Sequence, residues 1–336
     1  MKKNNLLHQY VERESKKVVT EKFIGDASVQ LLYNPLRENS HTLFKALTSK
    51  RMSAILAFIH YNIPRLGRGD GEALFKRVNA NWRECVEPLN YFTSFKKVFE
   101  RQIRYRQQRP METQPDTVVS PADCRILVGS LKKNTQFFIK EKFFNKDELL
   151  GTDSGWCDAF EAGNFCICRL TPDKYHYNHV PVSGVVVDIY SFDGHYHSCN
   201  PSATIAIVSI YSKNRRVITI IDTDVEGGSW VGLVAMVEIV ALMIGDIQQA
   251  YSETRYENPQ PITKNMFIKK GAPKSLYRPG SSTDVMIFQA GRIRFANDLL
   301  ENSQRQDVQS RFTNEHGTQV LVETDIQVRS TIAYKI

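Results

Sequence analysis

Hydrophobic and polar positions follow two different patterns along the chain, and the pattern changes about one third of the way through. Over residues 41–63, apolar residues recur at broadly helical intervals, with Lys45, Lys50 and Arg51 among them. This spacing predicts a helix with one apolar and one basic face. Such a helix either packs on the core of its domain or docks its basic face onto a membrane. We therefore predict a helical, basic amino-terminal region over residues 1–110.

The second part of the chain consists of short apolar runs separated by glycine, asparagine, aspartate and proline. Runs of strand length, with few long helical patterns between them, predict a mainly antiparallel β core. The runs span residues 165–170, 183–192, 204–211, 215–222, 231–245 and 283–288. The run that contains Glu238 is shorter than the roughly 20 residues that a membrane-spanning helix needs. The predicted fold class is thus α+β, with a β-rich domain over residues 111–336 after the helical region.

The arginine-rich segment RQIRYRQQRPMETQP, residues 101–115, has the composition of an exposed connection, and we take it as the boundary between the two parts. A surface that binds nucleic acid would interleave several aromatic residues with the basic ones. Here only Tyr105 does so. We therefore expect no nucleic-acid partner.

Composition narrows the class of protein further. Hydrophobic residues make up 42% and charged residues 24% of the 336 positions, which is typical of a folded globular protein. The net charge of +8 favours an anionic partner such as the surface of an acidic membrane. Six cysteines are too few for a disulfide scaffold, and the start, MKKNNLLHQYVERESKK, has no apolar stretch typical of a secretion signal. These features predict a cytoplasmic protein.

Histidines are concentrated in one part of the second region, where four of the eight fall within 22 residues. His195, His197 and Cys199 alternate, so they would share one face of a strand and offer a compact set of metal ligands. The same three residues are equally consistent with surface or core positions around a turn. A metal-binding β protein is therefore one hypothesis for this chain.

The stretch RPGSSTDV, residues 278–285, places a glycine directly before two serines. A serine hydroxyl becomes a good nucleophile when a neighbouring base, commonly a histidine held by a carboxylate, takes its proton. If Ser281 follows Gly280 in a tight turn, its hydroxyl lies near the Gly280 carbonyl. Attack there makes an ester, and elimination from that ester cuts the chain and leaves a residue that hydrolyses to a pyruvoyl group. Taken alone, however, the stretch is more typical of a Pro-Gly turn that enters a strand.

Six separated stretches supply a context for this motif. They are SPADC (120–124), YHYNHVPVSG (175–184), GHYHSCNP (194–201), KNRRVITIIDTDV (213–225), VAMVEIVALMIGDI (234–247) and KKGAPKSLYRPGSST (269–283). In this order they resemble the motifs of the phosphatidylserine decarboxylase family, which is pyruvoyl-dependent and self-processing. The helical region before them looks like that of the shorter, bacterial-type members. The resemblance implies a pyruvoyl-decarboxylase type of β core.

The resemblance also implies how the chain is processed. The chain would cleave itself between Gly280 and Ser281, and Ser281 would become the pyruvoyl group. The products would be a large chain, residues 1–280, and a small chain, residues 281–336, held together by strand pairing. The cofactor would then be made from the protein itself, with no pyridoxal phosphate and no metal.

Three further residues receive roles from the same resemblance. Asp123 would orient His179, which would be the base for self-cleavage, and His176 would assist the decarboxylation. The pyruvoyl carbonyl would form a Schiff base with the substrate amine and accept the electrons released when carbon dioxide leaves. The implied reaction is the conversion of phosphatidylserine to phosphatidylethanolamine. The implied setting is peripheral, at the inner face of the cell membrane, and a homo-oligomer is expected.

Departures from the family pattern keep other substrates open. Cys124 stands where many members have glycine, and Val240 replaces another expected glycine. The main alternative is a pyruvoyl-dependent decarboxylase of a soluble amino acid, for example an aromatic one. A relative that stays unprocessed and binds lipid without catalysis is a further alternative.

Overall fold

Antiparallel β-sheets form the body of the chain, and short helices cover them. The computed structural model describes residues 7–23, 26–33, 37–49, 51–52, 55, 70–132, 143–242, 246–278, 282–313 and 320–336. Within these residues, a ten-stranded sheet is accompanied by two three-stranded sheets. The large sheet has the strand order β11-β7-β8-β9-β13-β5-β4-β15-β1-β2, and the small sheets have the orders β10-β12-β6 and β14-β16-β3.

The strand bounds are as follows. They are β1 Gln9–Glu12, β2 Val18–Thr20, β3 Thr117–Val119, β4 Cys124–Ser130, β5 Asn164–Leu170, β6 Tyr177–His179, β7 Gly184–Phe192, β8 Arg216–Asp222, β9 Leu233–Ile239, β10 Asp246–Gln249, β11 Phe267–Ile268, β12 Pro273–Arg278, β13 Ser282–Phe288, β14 Ile293–Phe295, β15 Glu323–Ile326 and β16 Thr331–Lys335. The helices are α1 Asp26–Leu31, α2 Arg37–Asn39, α3 His41–Leu47, α4 Gly71–Val78, α5 Phe95–Phe99, α6 Tyr105–Gln108, α7 Lys146–Leu150, α8 Pro201–Ala206, α9 Ile210–Lys213 and α10 Asn297–Ser303.

Strand β13 lies at the centre of the large sheet. It pairs antiparallel with β5 on one side and with β9 on the other, so that Met286 lies opposite both Cys166 and Met236. Every residue of β13 is buried. A run of β-branched and other apolar residues that is buried on both faces is typical of a central strand. The last predicted run therefore becomes the most deeply embedded strand.

The α+β class and the mainly antiparallel core are confirmed, because all the strand pairs of the large sheet except β1 with β15 are antiparallel. The six cysteines are all unpaired thiols. No helix in the described part of the chain has the length and apolar character needed to cross a membrane. The run around Glu238 forms β9 instead.

One predicted strand is wrong, because residues 204–211 lie in helices α8 and α9 and the turn between them. The side chain of Asn200 caps α8 by accepting a hydrogen bond from the Ser202 N–H (2.8 Å), and Pro201 occupies the first helical position. These two signals start a helix and override the β-branched composition that follows.

The first 110 residues also differ from the helical prediction. Helix α3 matches the start of the predicted helix over residues 41–63, and the later part, with Lys50 and most residues beyond it, lies outside the described residues. Strands β1 and β2, however, extend the large sheet, and β1 pairs with β15 near the carboxyl terminus. The charged residues around Val11 hide the strand alternation in the sequence.

The arginine-rich segment 101–115 is exposed over most of its residues, as predicted, but two of its arginines are not. Arg101 and Arg109 are both almost fully buried. Arg109 Nη2 lies 2.8 Å from a Glu84 carboxylate oxygen and 2.7 Å from an Asp123 carboxylate oxygen. The segment therefore ties the first part of the chain to the β-rich part through buried ion pairs.

Candidate active site

The two strands that flank the predicted cleavage bond belong to different sheets. Strand β12 ends at Arg278 in a small sheet, and β13 begins at Ser282 in the large one. Gly280 and Ser281 themselves lie outside the described residues. Strand β6 is the neighbour of β12, and Leu170 at the end of β5 pairs with Ser282. The connection thus starts beside β6 and ends beside β5.

His176 lies directly before β6 and is fully buried. Its carbonyl accepts a hydrogen bond from the Tyr277 N–H (3.2 Å), close to the end of β12. Its Nδ1 lies 2.8 Å from the Lys174 carbonyl, which can only accept, so Nδ1 carries the proton. Nε2 then holds a lone pair and has no hydrogen-bond partner among the described residues. Burial, together with the nearby charge of Arg101, lowers the pKa of His176 to about 3, so the ring is neutral.

His179, at the end of β6, is also fully buried, but both of its ring nitrogens have partners. Nδ1 lies 2.8 Å from the Gly271 carbonyl and therefore donates. Nε2 lies 2.9 Å from the Tyr175 hydroxyl and accepts. Burial lowers the pKa of His179 to about 3. The ring is thus held as one neutral tautomer whose lone pair faces a hydroxyl donor.

Aromatic side chains enclose His179. The Tyr175 hydroxyl is 2.7 Å from the hydroxyl of Tyr256, and the edge of the Tyr105 ring packs against the imidazole with centroids 4.8 Å apart. Burial raises the pKa of both Tyr175 and Tyr256, so both hydroxyls keep their protons. Two hydroxyl groups thus lead from His179 through Tyr175 to Tyr256, whose hydroxyl donates to the Ile103 carbonyl (2.9 Å).

Asp123 lies in the turn before β4 and is ionised. Burial would raise its pKa, but the guanidinium of Arg109 outweighs burial and holds the pKa of the carboxyl below its usual value. The carboxylate also accepts a hydrogen bond from the Val328 N–H (2.8 Å). The same turn is attached to β6, since the His179 N–H donates to the Pro121 carbonyl (2.7 Å). Asp123 therefore neighbours His179, whose ring nitrogens are hydrogen-bonded elsewhere in this structure.

A buried polar cluster, which sequence patterns did not reveal, lies between the small sheet and the large one. Its members are Asn178, Glu238, Lys274, Ser275, Tyr277 and Asp284. Glu238 of β9 and Asp284 of β13 are direct cross-strand neighbours. The Asn178 amide donates to both carboxyl groups at 3.2 Å. The only sequence signal for this cluster is a lone glutamate within an apolar run.

Within the buried polar cluster, the two carboxyl groups differ in protonation. Glu238 Oε2 lies 2.8 Å from Lys274 Nζ, and this cation outweighs burial and lowers the pKa of Glu238. Burial raises the pKa of Asp284 well above its usual value, and the charge of Glu238 adds to this effect. The Tyr277 hydroxyl donates to Asp284 Oδ1 (2.7 Å), whereas Oδ2 has no partner in the described part of the chain. Asp284 is therefore a neutral acid three residues from Ser281.

We expect Asp284→Asn to remove one component of the pH dependence of stability. Because the native state holds a proton on Asp284 that the unfolded state releases above pH 4, the free energy of unfolding falls by about 1.4 kcal/mol per pH unit until the native pKa is reached. Asparagine keeps the shape and carries no charge, so this slope disappears. Urea unfolding at pH 5 and pH 8, in a Ser281→Ala background that keeps a single chain, measures the difference. Parallel pH profiles for the two proteins would show that Asp284 is ionised in the native state.

The two departures from the family pattern occupy packing positions. Cys124 is fully buried, its Sγ lies 3.7 Å from Ser120 Oγ, and burial raises the pKa of its thiol. Val240 is fully buried in the main core, and its N–H donates to the Arg215 carbonyl (3.1 Å). Both side chains therefore contribute to the core and leave β6 and β12 undisturbed.

The residues proposed as metal ligands do not converge. The ring of His197 stacks on His195 (centroids 5.1 Å apart) and on Phe44 (5.8 Å). Among the described residues, the ligand atoms of His195, His197 and Cys199 do not form a set close enough to share one ion. Their arrangement instead supports the packing of α3 against the loop before α8.

A different group, His8, Glu21 and Glu323, does bring metal-ligand atoms within 4.8 Å of one another. Both carboxylates, however, accept hydrogen bonds from the buried guanidinium of Arg169, at 2.7 Å for Glu21 and 2.9 Å for Glu323. His8 Nε2 lies 2.8 Å from Glu323. The group is thus an ion-pair network that anchors the amino-terminal segment to β5 and β15.

Comparisons with known proteins agree with these features. The family model described as phosphatidylserine decarboxylase matches residues 95–313. The phosphatidylserine decarboxylase proenzyme of Fusobacterium nucleatum is 28% identical over 304 residues, which cover 88% of this chain and 92% of the relative. The proenzyme of Chlamydia trachomatis is 32% identical over 307 residues, with 87% and 90% covered. Proenzyme 3 of Schizosaccharomyces pombe is 27% identical over 278 residues, which cover 82% of this chain and 27% of that longer protein.

Proposed function

Because the chain belongs to the phosphatidylserine decarboxylase family, and is therefore a carboxy-lyase, we propose that it converts phosphatidylserine to phosphatidylethanolamine and carbon dioxide with a pyruvoyl group made from its own Ser281. The observation that carries the proposal is the position of two buried, neutral histidines beside the strand that leads to Gly280. We further propose that the β core has the arrangement of pyruvoyl decarboxylases.

The residues around the start of β13 fit such a group. Among the described residues, several fully buried polar atoms there lack a hydrogen-bond partner, and they include His176 Nε2, Asn178 Oδ1, Ser282 Oγ and Asp284 Oδ2. Unpaired buried polar atoms cost free energy, and native proteins keep them mainly where a ligand or a reacting group uses them. These atoms would hydrogen-bond a carbonyl, a carboxylate or an amine at residue 281.

The processing reaction uses only groups of the chain and one water molecule. The Ser281 hydroxyl attacks the Gly280 carbonyl while a base takes its proton, and the Gly280 acyl group moves from nitrogen to oxygen. Removal of the α-proton then breaks the ester Cβ–O bond, so Gly280 leaves as a carboxylate and residue 281 becomes dehydroalanine. Its enamine tautomerises to an imine, which takes up water and releases ammonia. His179 is the proposed base, with Asp123 close by to stabilise the charge that it gains.

In decarboxylation the pyruvoyl carbonyl would supply an electrophile that binds the substrate amine and draws off electrons as carbon dioxide leaves. The chain's own residues would position the substrate and return a proton to its α-carbon. His176 is proposed for this proton transfer: its Nε2 lone pair has no partner within the described structure, so it can take a proton from the substrate ammonium and later deliver that proton to the α-carbon. Phe99 packs edge-on against the ring, with centroids 5.2 Å apart, and fixes its orientation.

The intact mass of the purified protein under denaturing conditions tests the proposal. Residues 281–336 are one sixth of the 38.5 kDa chain, so cleavage would release a chain of about 6 kDa with a ketone in place of its amino group. Hydrazide labelling of that chain would identify the ketone. A single mass of 38.5 kDa in an active preparation would refute the pyruvoyl assignment.

Docking at an anionic membrane is proposed for helices α1 to α3 and α8. Leu31, Leu43 and Val208 expose 63%, 47% and 56% of their surface. Their elements are neighbours, because α1 packs on α8 and Arg37 of α2 donates a hydrogen bond to the Ala206 carbonyl. Exposed apolar side chains next to basic ones are typical of a peripheral membrane-binding face. We propose that the protein acts at the inner face of the cell membrane.

A homo-oligomer stays a prediction, which light scattering of the purified protein would test.

We expect Leu31→Asp with Leu43→Asp to weaken binding to phosphatidylserine vesicles by at least about tenfold, because burial of each leucine in lipid is worth on the order of 1.5–3 kcal/mol. Vesicle pelleting of the double variant measures the effect. Ile336→Asp is the matched control, since Ile336 is exposed and lies at the carboxyl terminus. Equal pelleting of all three proteins would place the docking face elsewhere.

A further inference from the structure

A cationic cavity of about 550 Å³ lies next to the proposed active site. Cavities of this size hold small molecules or the headgroup part of a larger one. Five cationic residues line it, against two acidic ones. The cationic residues are Lys22, Lys76, Arg77, Arg125 and Arg169, and the acidic ones are Glu21 and Asp173. The lining thus carries a surplus of positive charge.

The cavity is linked to the site by the short segment Thr171–Asp173. This segment lines the cavity and follows directly on Leu170, which pairs with Ser282 at the start of β13. In the other direction it leads to His176 within three residues. The carbonyl of Asp173 accepts a hydrogen bond from Arg101 (2.8 Å), whose charge contributes to the low pKa of His176. The cavity is therefore connected to the start of β13 and to His176 through this one segment.

The cationic residues are not all neutralised by their neighbours. Arg169 is saturated by the two glutamates of its ion-pair network. Arg125 is 95% buried and forms an ion pair with Glu21 through Nη1, but its Nε has no hydrogen-bond partner among the described residues and lies 3.7 Å from Asp325. Lys22 and Lys76 are exposed at the cavity and form no ion pair with the residues that the structure describes. Buried N–H donors beside free ammonium groups favour an anion.

The remaining lining mixes polar residues with apolar ones, and the apolar ones include Val19, Phe23 and Val29. Val29 lies in α1 and Phe23 lies shortly before it, and the same helix carries the exposed Leu31 of the proposed membrane face. One side of the cavity is therefore suited to charge, and the side toward the proposed membrane face is suited to hydrocarbon.

We propose that this cavity binds the phosphodiester of the substrate headgroup, with Lys22, Lys76 and Arg125 contacting the phosphate oxygens. The proposal rests on the proposed function and defines its substrate class, because a free amino acid has no phosphodiester for these groups to bind. The glycerol and the first carbons of the acyl chains would contact Phe23 and Val29, and the serine end would point past Thr171 toward β13.

Calorimetric binding of soluble glycerophosphoserine tests this without relying on turnover. The titrated proteins are the wild type, a Lys22→Gln and Lys76→Gln double variant, and the control Lys264→Gln, which removes an exposed lysine outside the cavity. We expect the double variant to bind at least about tenfold more weakly and the control to bind like the wild type. Both lysines are exposed, and circular dichroism would verify that the variant is folded.

Titrations with two further ligands and a turnover assay separate the possible outcomes. Free serine is expected not to bind measurably, and inorganic phosphate is expected to bind more weakly than glycerophosphoserine. If inorganic phosphate binds as tightly as glycerophosphoserine, the cavity is a site for free phosphate and the proposal is overturned. Equal binding of glycerophosphoserine by the wild type and the double variant would also overturn it. Phosphatidylserine turnover by the wild type is measured separately. If the wild type turns over phosphatidylserine but the double variant binds the headgroup as tightly as the wild type does, only the cavity proposal is refuted. If the wild type binds the headgroup and the double variant does not, but the wild type shows no turnover, only the proposed function is refuted.

Discussion

Ser281→Ala is expected to leave the chain at its full mass of 38.5 kDa and to reduce phosphatidylserine decarboxylation below detection. The hydroxyl of Ser281 is the proposed nucleophile, and its Cβ becomes the methyl group of the cofactor. Alanine supplies neither the nucleophile nor the leaving oxygen, so both the cleavage and the cofactor are lost together. Denaturing mass spectrometry measures cleavage, and release of labelled carbon dioxide measures turnover.

The matched control for this variant is Ser282→Ala. Ser282 is the next residue and also carries a buried hydroxyl without a partner among the described residues. We expect Ser282→Ala to cleave and to form the ketone, with activity reduced only as far as that hydroxyl assists the reaction. If Ser281→Ala still releases a chain of about 6 kDa, the nucleophile is Ser282 instead. If Ser281→Ala stays uncleaved but still turns over substrate, the self-made cofactor is refuted.

Replacement of the two buried histidines should separate processing from turnover. His179→Ala is expected to slow or stop self-cleavage, because it removes the proposed base together with its links to Gly271 and Tyr175. His176→Ala should still cleave but turn over phosphatidylserine about 10²–10⁴-fold more slowly, which is the usual contribution of a general acid or base. The measurements are the fraction of cleaved chain over time and the turnover per cleaved molecule.

His195→Ala provides the control for the histidine pair, since His195 is exposed and lies away from β6 and β12. It should cleave and turn over like the wild type. If His176→Ala stops cleavage and His179→Ala does not, the two roles are exchanged. The unoccupied Nε2 of His176 would then identify it as the base, and the bond from Tyr175 to His179 would identify the latter as the residue of the decarboxylation step.

Much of the fold was predictable, because most strands carry their own pattern. Strands β5, β7, β8 and β13 are apolar runs bounded by turn residues, and the sequence predicts each of them. Helix α8 was missed because a cap of two residues, Asn200 and Pro201, outweighed the strand-like composition of residues 204–211. Strand β1 was missed because charged residues around Val11 hide its alternation, and because its pairing with β15, more than 300 residues away, leaves no local pattern.

The candidate site was predictable only in part. The motifs place Asp123, His176 and His179 in the sequence, but not their hydrogen bonds. Arg109 could not be recognised as the partner of Asp123, since an arginine-rich segment looks exposed until the fold buries it. Asp284 shows no sequence signal either, because its raised pKa arises from burial and, after that, from the charge of Glu238 on a neighbouring strand. Tertiary contacts, which motifs do not encode, set these properties.

The central position of β13 would make the cleaved protein difficult to refold. After cleavage β13 would belong to the small chain, although both of its neighbours, β5 and β9, belong to the large one. The strand can reach this position readily only while it is still tethered, so folding must precede the cut. Once denatured, the two chains would have to find each other again, and recovery would depend on protein concentration. The rate of unfolding would then determine how long the cleaved protein stays native, because it cannot fold again as a single chain.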